Sequence, residues 1–335
     1  MNRELVIRTE RNIHTEVFYD IVYEWEDEFC RTLGVKLFYA RNGYLAGREI
    51  FASLQRRYGL NIEEVLLCGK IAFGYQMFGD SARGLIQSSH TAVCIIDFYP
   101  RKEDLEAFYA TYRRTPFLFI SSREVYEYLL QENPPRKIYH LPLSLPDKYR
   151  ILPDTHFEKQ YDLLLIGRQN TFLLNWLEQY CRTHDIIYVS RTVVDRENKR
   201  FLYYTNHGDY VCNVVTRDDY FQLIRKCKIA FYATPGLVGD RKRDLTNGFS
   251  QVTPRFLELM AGGCLLIGQY PDNADTRYYQ LNDYVMNVNS YEEFEAAMNQ
   301  RLQQEVNMKD YSQYLESHYT SVVARDMVRL LKSFS

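Results

Sequence analysis

An α/β protein of two doubly wound domains is the fold class this sequence predicts, on three observations. Short apolar runs alternate with amphipathic stretches almost from end to end, as parallel strands do with their crossover helices. Prolines crowd together at Pro134-Pro135, Pro142, Pro146 and Pro153. Beyond them the alternation starts again, and 335 residues supply two cores of roughly 150 residues each.

In the first half the apolar runs Leu5–Arg8, Val35–Tyr39, Val65–Cys68, Val93–Phe98, Phe117–Ile120 and Ile138–Leu141 are the expected strands. Val17–Thr32, Glu49–Tyr58, Lys102–Arg114 and Arg123–Glu132 carry helical periodicity between them. The Pro-dense stretch places the connection at residues 143–159, with a first domain over 1–145 and a second over 146–308. The second repeats the scheme. Tyr161–Ile166, Ile186–Val189, Ile229–Ala233, Cys264–Ile267 and Tyr284–Val288 read as strands, Thr171–Thr183, Asp218–Lys226 and Tyr291–Gln304 as helices. A final helical segment covers about Lys309–Lys332, within a tail of 309–335. Two such domains on a short linker set their strand ends across a cleft, and ligands bind outside those ends.

Composition excludes several classes. At 46% apolar and 25% charged the chain is globular, and a net charge of -2 argues against a nucleic-acid partner. The start, Met-Asn-Arg-Glu-Leu-Val-Ile-Arg, has no signal-peptide core, and no apolar run nears the roughly 18 residues of a membrane span. The 7 cysteines form no C-x-x-C pair and read as reduced core residues, so a cytoplasmic location is expected. Tyrosine is abundant, at 29 residues, which fits either sugar stacking or a compositional bias.

The most informative stretch is Thr253-Pro-Arg-Phe-Leu-Glu258-Leu-Met-Ala-Gly262-Gly263-Cys-Leu-Leu-Ile. Thr253 is a suitable N-cap and Pro254 a suitable first helical residue. Gly262-Gly263 ends the helix and a buried strand follows. Glu258 is the one carboxylate on this short apolar helix, and a carboxylate there can accept from two sugar hydroxyls. A solvated Glu on a packing unit is the plain alternative.

This Arg-x-x-Glu-x-x-x-x-Gly segment resembles the nucleotide-sugar half-site of GT-B glycosyltransferases, of the group 1 type. The resemblance implies that Glu258 holds the donor ribose, with Arg255 and Thr253 nearby. Leu163-Leu-Leu-Ile-Gly167-Arg168 resembles the place where the family binds the donor pyrophosphate; Gly167 permits close approach and the Arg168 fork suits a diphosphate. The family's helping Lys is absent after Arg168. One of Arg241-Lys242-Arg243 replaces it on this reading, Lys242 being the named candidate; a solvated loop touching an anionic membrane face is the other reading. Tyr210-Val-Cys-Asn-Val-Val215 resembles the base-binding segment, with Val215 offering main-chain groups.

On the acceptor side Asp97, ending a strand, is the candidate general base, with Glu10 and His14 in reserve. A strand-end Asp is also a common turn former. The glycine-rich loop of the family is missing at Thr9–His14, and Ser250 stands where many retaining members carry a second Glu. The resemblance implies no metal and no other cofactor, since Arg, Lys and helix dipoles offset the leaving diphosphate. The expected activity is transfer of a sugar from a nucleotide diphosphate sugar to a hydroxyl acceptor, a glycan or glycolipid of a bacterial surface polysaccharide pathway. The alternatives are a non-catalytic nucleotide-sugar-binding or scaffold subunit and a GT-B-fold epimerase.

Overall fold

The computed structural model describes residues 4–12, 14, 19–39, 66–77, 89–195, 200–241 and 243–332. The helix expected over Glu49–Tyr58, and Lys242, lie outside them. The chain forms two compact units, Met1–Asp147 with Thr320–Ser335, and Lys148–Tyr319.

In the first unit β1 (Glu4–Thr9), β2 (Leu37–Tyr39), β3 (Lys70–Met77), β4 (Thr91–Ile96), β5 (Leu118–Ile120) and β6 (Ile138–His140) make a sheet of order β2-β1-β3-β4-β5-β6. All its pairings are parallel. Over the described part of the strand expected at Val65–Cys68 no strand forms: Leu67–Gly69 is a turn and the strand begins at Lys70. Gly74 hides this strand from propensity, and it is needed because a Cβ there would press on Arg8 of β1 at 3.3 Å. Helix α1 (Asp20–Leu33) lays Trp25 and Phe29 on Phe73 and Tyr75 of β3. The stretch 102–114 contains a 3₁₀ turn and then α2 (Leu105–Thr111). Helix α3 (Arg123–Gln131) starts at Ser122, whose hydroxyl accepts from the Val125 N–H.

The second unit has β7 (Tyr161–Leu165), β8 (Tyr188–Asp195), β9 (Arg200–Thr205), β10 (Tyr210–Val214), β11 (Cys227–Ala233), β12 (Leu265–Gln269) and β13 (Val285–Asn287), in the order β10-β9-β8-β7-β11-β12-β13. Five strands are parallel, but β8-β9-β10 is an antiparallel meander, which corrects the all-parallel expectation. In β9 the residues Leu202–Thr205 alternate between partly and fully buried positions, as in a sheet with one face wet.

The second-unit helices are α4 (Thr171–Tyr180), α5 (Arg217–Arg225), α6 (Arg255–Ala261), α7 (Ala274–Tyr278), α8 (Leu281–Tyr284), α9 (Tyr291–Gln303) and α10 (Met308–Leu315). The last segment is two helices, not one. After α10 the Ser317 hydroxyl and the His318 ring both donate to the Tyr314 carbonyl, closing the helix end. Helix α11 (Thr320–Lys332) belongs to the first unit, where Val323, Ala324 and Met327 enter the core beneath α1.

Both sheets reverse direction once. The chain builds outward on one side from β7 to β10, then on the other from β11 to β13; in the first unit the reversal falls between β1 and β3. Such switch points leave a crevice at the carboxyl ends of the strands.

Candidate functional site

A cavity of about 60 Å³ lies at the second unit's switch point. It is lined by Arg168 and Asn170 after β7, Thr234 after β11, Asp240 in the following loop, and Thr253 and Arg255 at the start of α6. The structure thus gathers four of the sequence-predicted residues, because Gly167 stands directly under Arg255. A Cβ on Gly167 would overlap the Arg255 guanidinium, and the residue has φ +69. Arg255 itself forms no hydrogen bond or ion pair among the described residues. A guanidinium in a pocket without a carboxylate of its own is a standing anion receptor.

Arg168 is 48% exposed along its side chain and donates to Asp240 at 3.3 and 3.5 Å, geometry that leaves most of its fork uncommitted. Asp240, 8% exposed, also accepts from the Gly236 N–H at 3.0 Å. Asp240 is not among the residues expected from the sequence, which in this loop are the cations beside it. Arg241 and Arg243 do not line the cavity, and Arg243 instead opens a 3₁₀ turn.

The loop is tied down at both ends. The Asn170 carboxamide donates to Val238 O at 2.8 Å, while the Thr171 N–H and hydroxyl both donate to Gly239 O. Ser250 donates to Pro235 O at 2.8 Å, so its 2.6 Å contact with Thr234 has the threonine hydroxyl as donor. Where many retaining members carry a carboxylate, this chain therefore has a buried hydroxyl that fastens the loop. Asn170 was legible, being an Asn that caps a helix by accepting from Phe172 N–H.

Thr253 does not cap α6. Pro254 holds the cap position without a side-chain bond, while the Thr253 N–H donates to the Tyr232 hydroxyl at 3.0 Å. The Thr253 hydroxyl is buried beside the two arginines and close to the Tyr232 hydroxyl.

Glu258 is neither solvated nor open. It is 4% exposed, and its two oxygens accept from Arg217 at 2.6 Å and from the Tyr220 hydroxyl at 2.8 Å. It does not line the cavity. Val215 is exposed, and its N–H is taken by the Asp219 carboxylate, which closes the capping box of α5.

Asp97 belongs to the first unit. It follows β4 directly, is exposed, and sits in the left-handed region at φ 53. Asp tolerates that region better than most residues. The reserve residues are mutually engaged: Glu10 pairs with Arg8 at 2.7 Å and with His14 at 3.3 Å. Beside them Glu26 pairs with Arg11 at 3.2 Å, and burial pushes its carboxyl up to about 7. Among the described residues no group of three or more His, Cys, Asp or Glu is set to hold a metal ion, and no helix is long and apolar enough to cross a membrane.

Two Rossmann-like units of this kind, one switch point in each, define the GT-B fold. Among solved structures, a candidate UDP-N-acetylglucosamine 2-epimerase from Listeria monocytogenes matches with a TM-score of 0.52 at 9% identity, covering 100% of this chain and 97% of that one. A glycosyltransferase from Rickettsia africae aligns over 99% of each chain, with a TM-score of 0.49 and 10% identity. The UDP-GlcNAc 2-epimerase from Methanocaldococcus jannaschii covers 98% of this chain and 99% of its own, with a TM-score of 0.48 and 13% identity. At 9% identity the likeness to the Listeria monocytogenes protein, at a TM-score above 0.5, bears on the fold alone. No family model and no curated protein matches the sequence.

Proposed function

We propose that the chain is a glycosyltransferase that binds a nucleotide diphosphate sugar in its second unit and passes the sugar to a hydroxyl acceptor. The observation that carries this is the unpaired Arg255 guanidinium beside Arg168, at the switch point of a parallel sheet. Two forks in one small cavity suit a diphosphate. In the reaction the bond from the anomeric carbon to the diphosphate oxygen breaks and the acceptor oxygen takes its place. Charge then grows on the leaving diphosphate, where fixed guanidinium groups are most useful. The acceptor proton goes to a carboxylate, for which Asp97 is proposed on its exposure at a strand end.

A thermal-shift panel of nucleoside diphosphates and their sugars tests the donor site, since a ligand at 100 times its Kd raises stability by about 2.7 kcal/mol. Product analysis then separates the activities. Sugar transfer that needs an added acceptor supports the proposal. Conversion of the donor sugar without acceptor identifies an epimerase, and binding with neither transfer nor hydrolysis identifies a scaffold. Asp97→Asn is expected to cut turnover about 10²–10⁴-fold with donor affinity unchanged; near-normal turnover rejects that residue.

A further inference from the structure

The second unit carries another cavity, of about 440 Å³, against α7, α8 and α10. It shares no lining residue with the arginine cavity. Its wall is aromatic. Tyr314 and His318 stack with ring centroids 4.3 Å apart, and Tyr284 meets Tyr314 at 4.6 Å. Tyr278 stands at the rim, 39% exposed, with its ring edge-on to Tyr279.

The polar tips of the inner rings are used within the protein. The Tyr314 hydroxyl donates to Tyr279 O at 2.7 Å, and His318 Nδ1 donates to Tyr314 O at 3.0 Å. Burial lowers the His318 pKa, so the ring stays neutral and Nε2 remains as an acceptor. Around these rings stand Gln280, Gln313 and Asp310, whose side chains form no hydrogen bond or ion pair among the described residues. Gln280 is held in the left-handed region at φ 51, a conformation that costs an ordinary residue free energy.

The cavity has no Lys or Arg in its lining, so it offers a phosphate or nucleotide nothing. Aromatic faces with uncommitted carboxamides suit a ligand with an apolar ring face and an edge of hydroxyls. The volume is within the range of small-ligand sites. We infer that this cavity is a binding site for a neutral glycan, taking one or two sugar residues of a longer chain. A quaternary ammonium is the competing occupant of an aromatic pocket, but it makes no use of the two carboxamide donors. The inference stands on this cavity alone and does not depend on the donor reading.

The test is saturation-transfer NMR and titration on the full chain with maltotriose, cellotriose and triacetylchitotriose, each to about 10 mM, ten times a millimolar Kd. Choline chloride is run beside them. At least one glycan is expected to bind, and Tyr278→Ala and Gln313→Ala, both at exposed positions, are each expected to weaken it at least tenfold. Arg255→Ala is expected to leave glycan binding unchanged, so failure of the donor site is read separately. No binding by any of the glycans, binding that survives both substitutions together, or binding of choline in their place overturns the inference.

Discussion

Arg255 and Glu258 lie one helical turn apart on α6, yet their surroundings assign them opposite kinds of importance. Arg255 has no partner to lose, so Arg255→Ala is expected to leave the melting temperature within a degree or two. On the proposed donor reading its removal takes a charge-assisted contact from the diphosphate, a loss of about tenfold or more in affinity. Glu258→Ala strands the Arg217 guanidinium and the Tyr220 hydroxyl, and breaking a buried pair in this way costs about 3 kcal/mol. Calorimetric titration with a nucleoside diphosphate and its nucleoside, alongside thermal melts, checks both. Arg255→Ala should spare the nucleoside and weaken the diphosphate. A stable Glu258→Ala with weakened nucleoside binding would restore the ribose role to this carboxylate. Both residues were legible in the sequence, as was the turn at Gly167. Glu258's partners were not, because they come from 38 and 41 residues earlier and meet it only through the packing of α5 against α6.

Helix α5 shows how an element sets up the buried pair. Thr216 accepts from the Asp219 N–H, and Asp219 accepts in return from the Thr216 N–H. That closure fixes the first turn, which carries Arg217 and Tyr220 toward Glu258. Thr216→Ala is expected to cost about 1 kcal/mol by urea unfolding, while Thr216→Ser is expected to cost little. If the alanine variant unfolds like the parent, the cap does not hold the turn. The Thr-x-x-Asp spacing is plain in the sequence, and so are the long parallel runs, where every residue of β4 is buried. Of the β8-β9-β10 meander only the start of β8 was legible, within Ile186–Val189, and its antiparallel return was not, for a physical reason. Arg191, Arg200 and Tyr210 are exposed, one on each of its three strands, so the apolar signal that marks a buried strand is diluted there. Nor does spacing reveal that α10 and α11 part company, since the stop is made by Ser317 and His318 bonding backward, without a Gly or Pro.

At the scale of the whole molecule the two units should answer differently to pH, because their buried titratable groups differ. In the first unit Glu26 lies in α1 with Arg11 at 3.2 Å, while Arg11 also pairs with Asp27 at 2.9 Å. Burial is the largest influence and raises the Glu26 carboxyl from 4.5 to about 7, against the pull of Thr9 and Arg11. The folded unit therefore holds a proton that the unfolded chain releases. Its contribution is complete below about pH 4.5 and is lost as pH rises through 7, a span worth about 3 kcal/mol. His140, in the same unit, works in the other direction. Burial lowers it from 6.5 to about 4, so its contribution is present above 6.5 and fades as pH falls through 4. Comparing the parent with Glu26→Gln removes the His140 effect, which both share, and Arg11 keeps Asp27 as a partner in the variant. The chain has 2 tryptophans, and Trp25 in α1 reports on the first unit while Trp176 in α4 reports on the second. In a Trp176→Phe background, urea unfolding followed by Trp25 fluorescence between pH 5 and 8 isolates the first unit. The parent is expected to lose stability relative to Glu26→Gln as pH rises across that interval, most steeply between about 5 and 6.5 and levelling off above 7. A constant difference between the two would mean that Glu26 is ionised throughout, held so by Arg11 and Thr9 in spite of its burial.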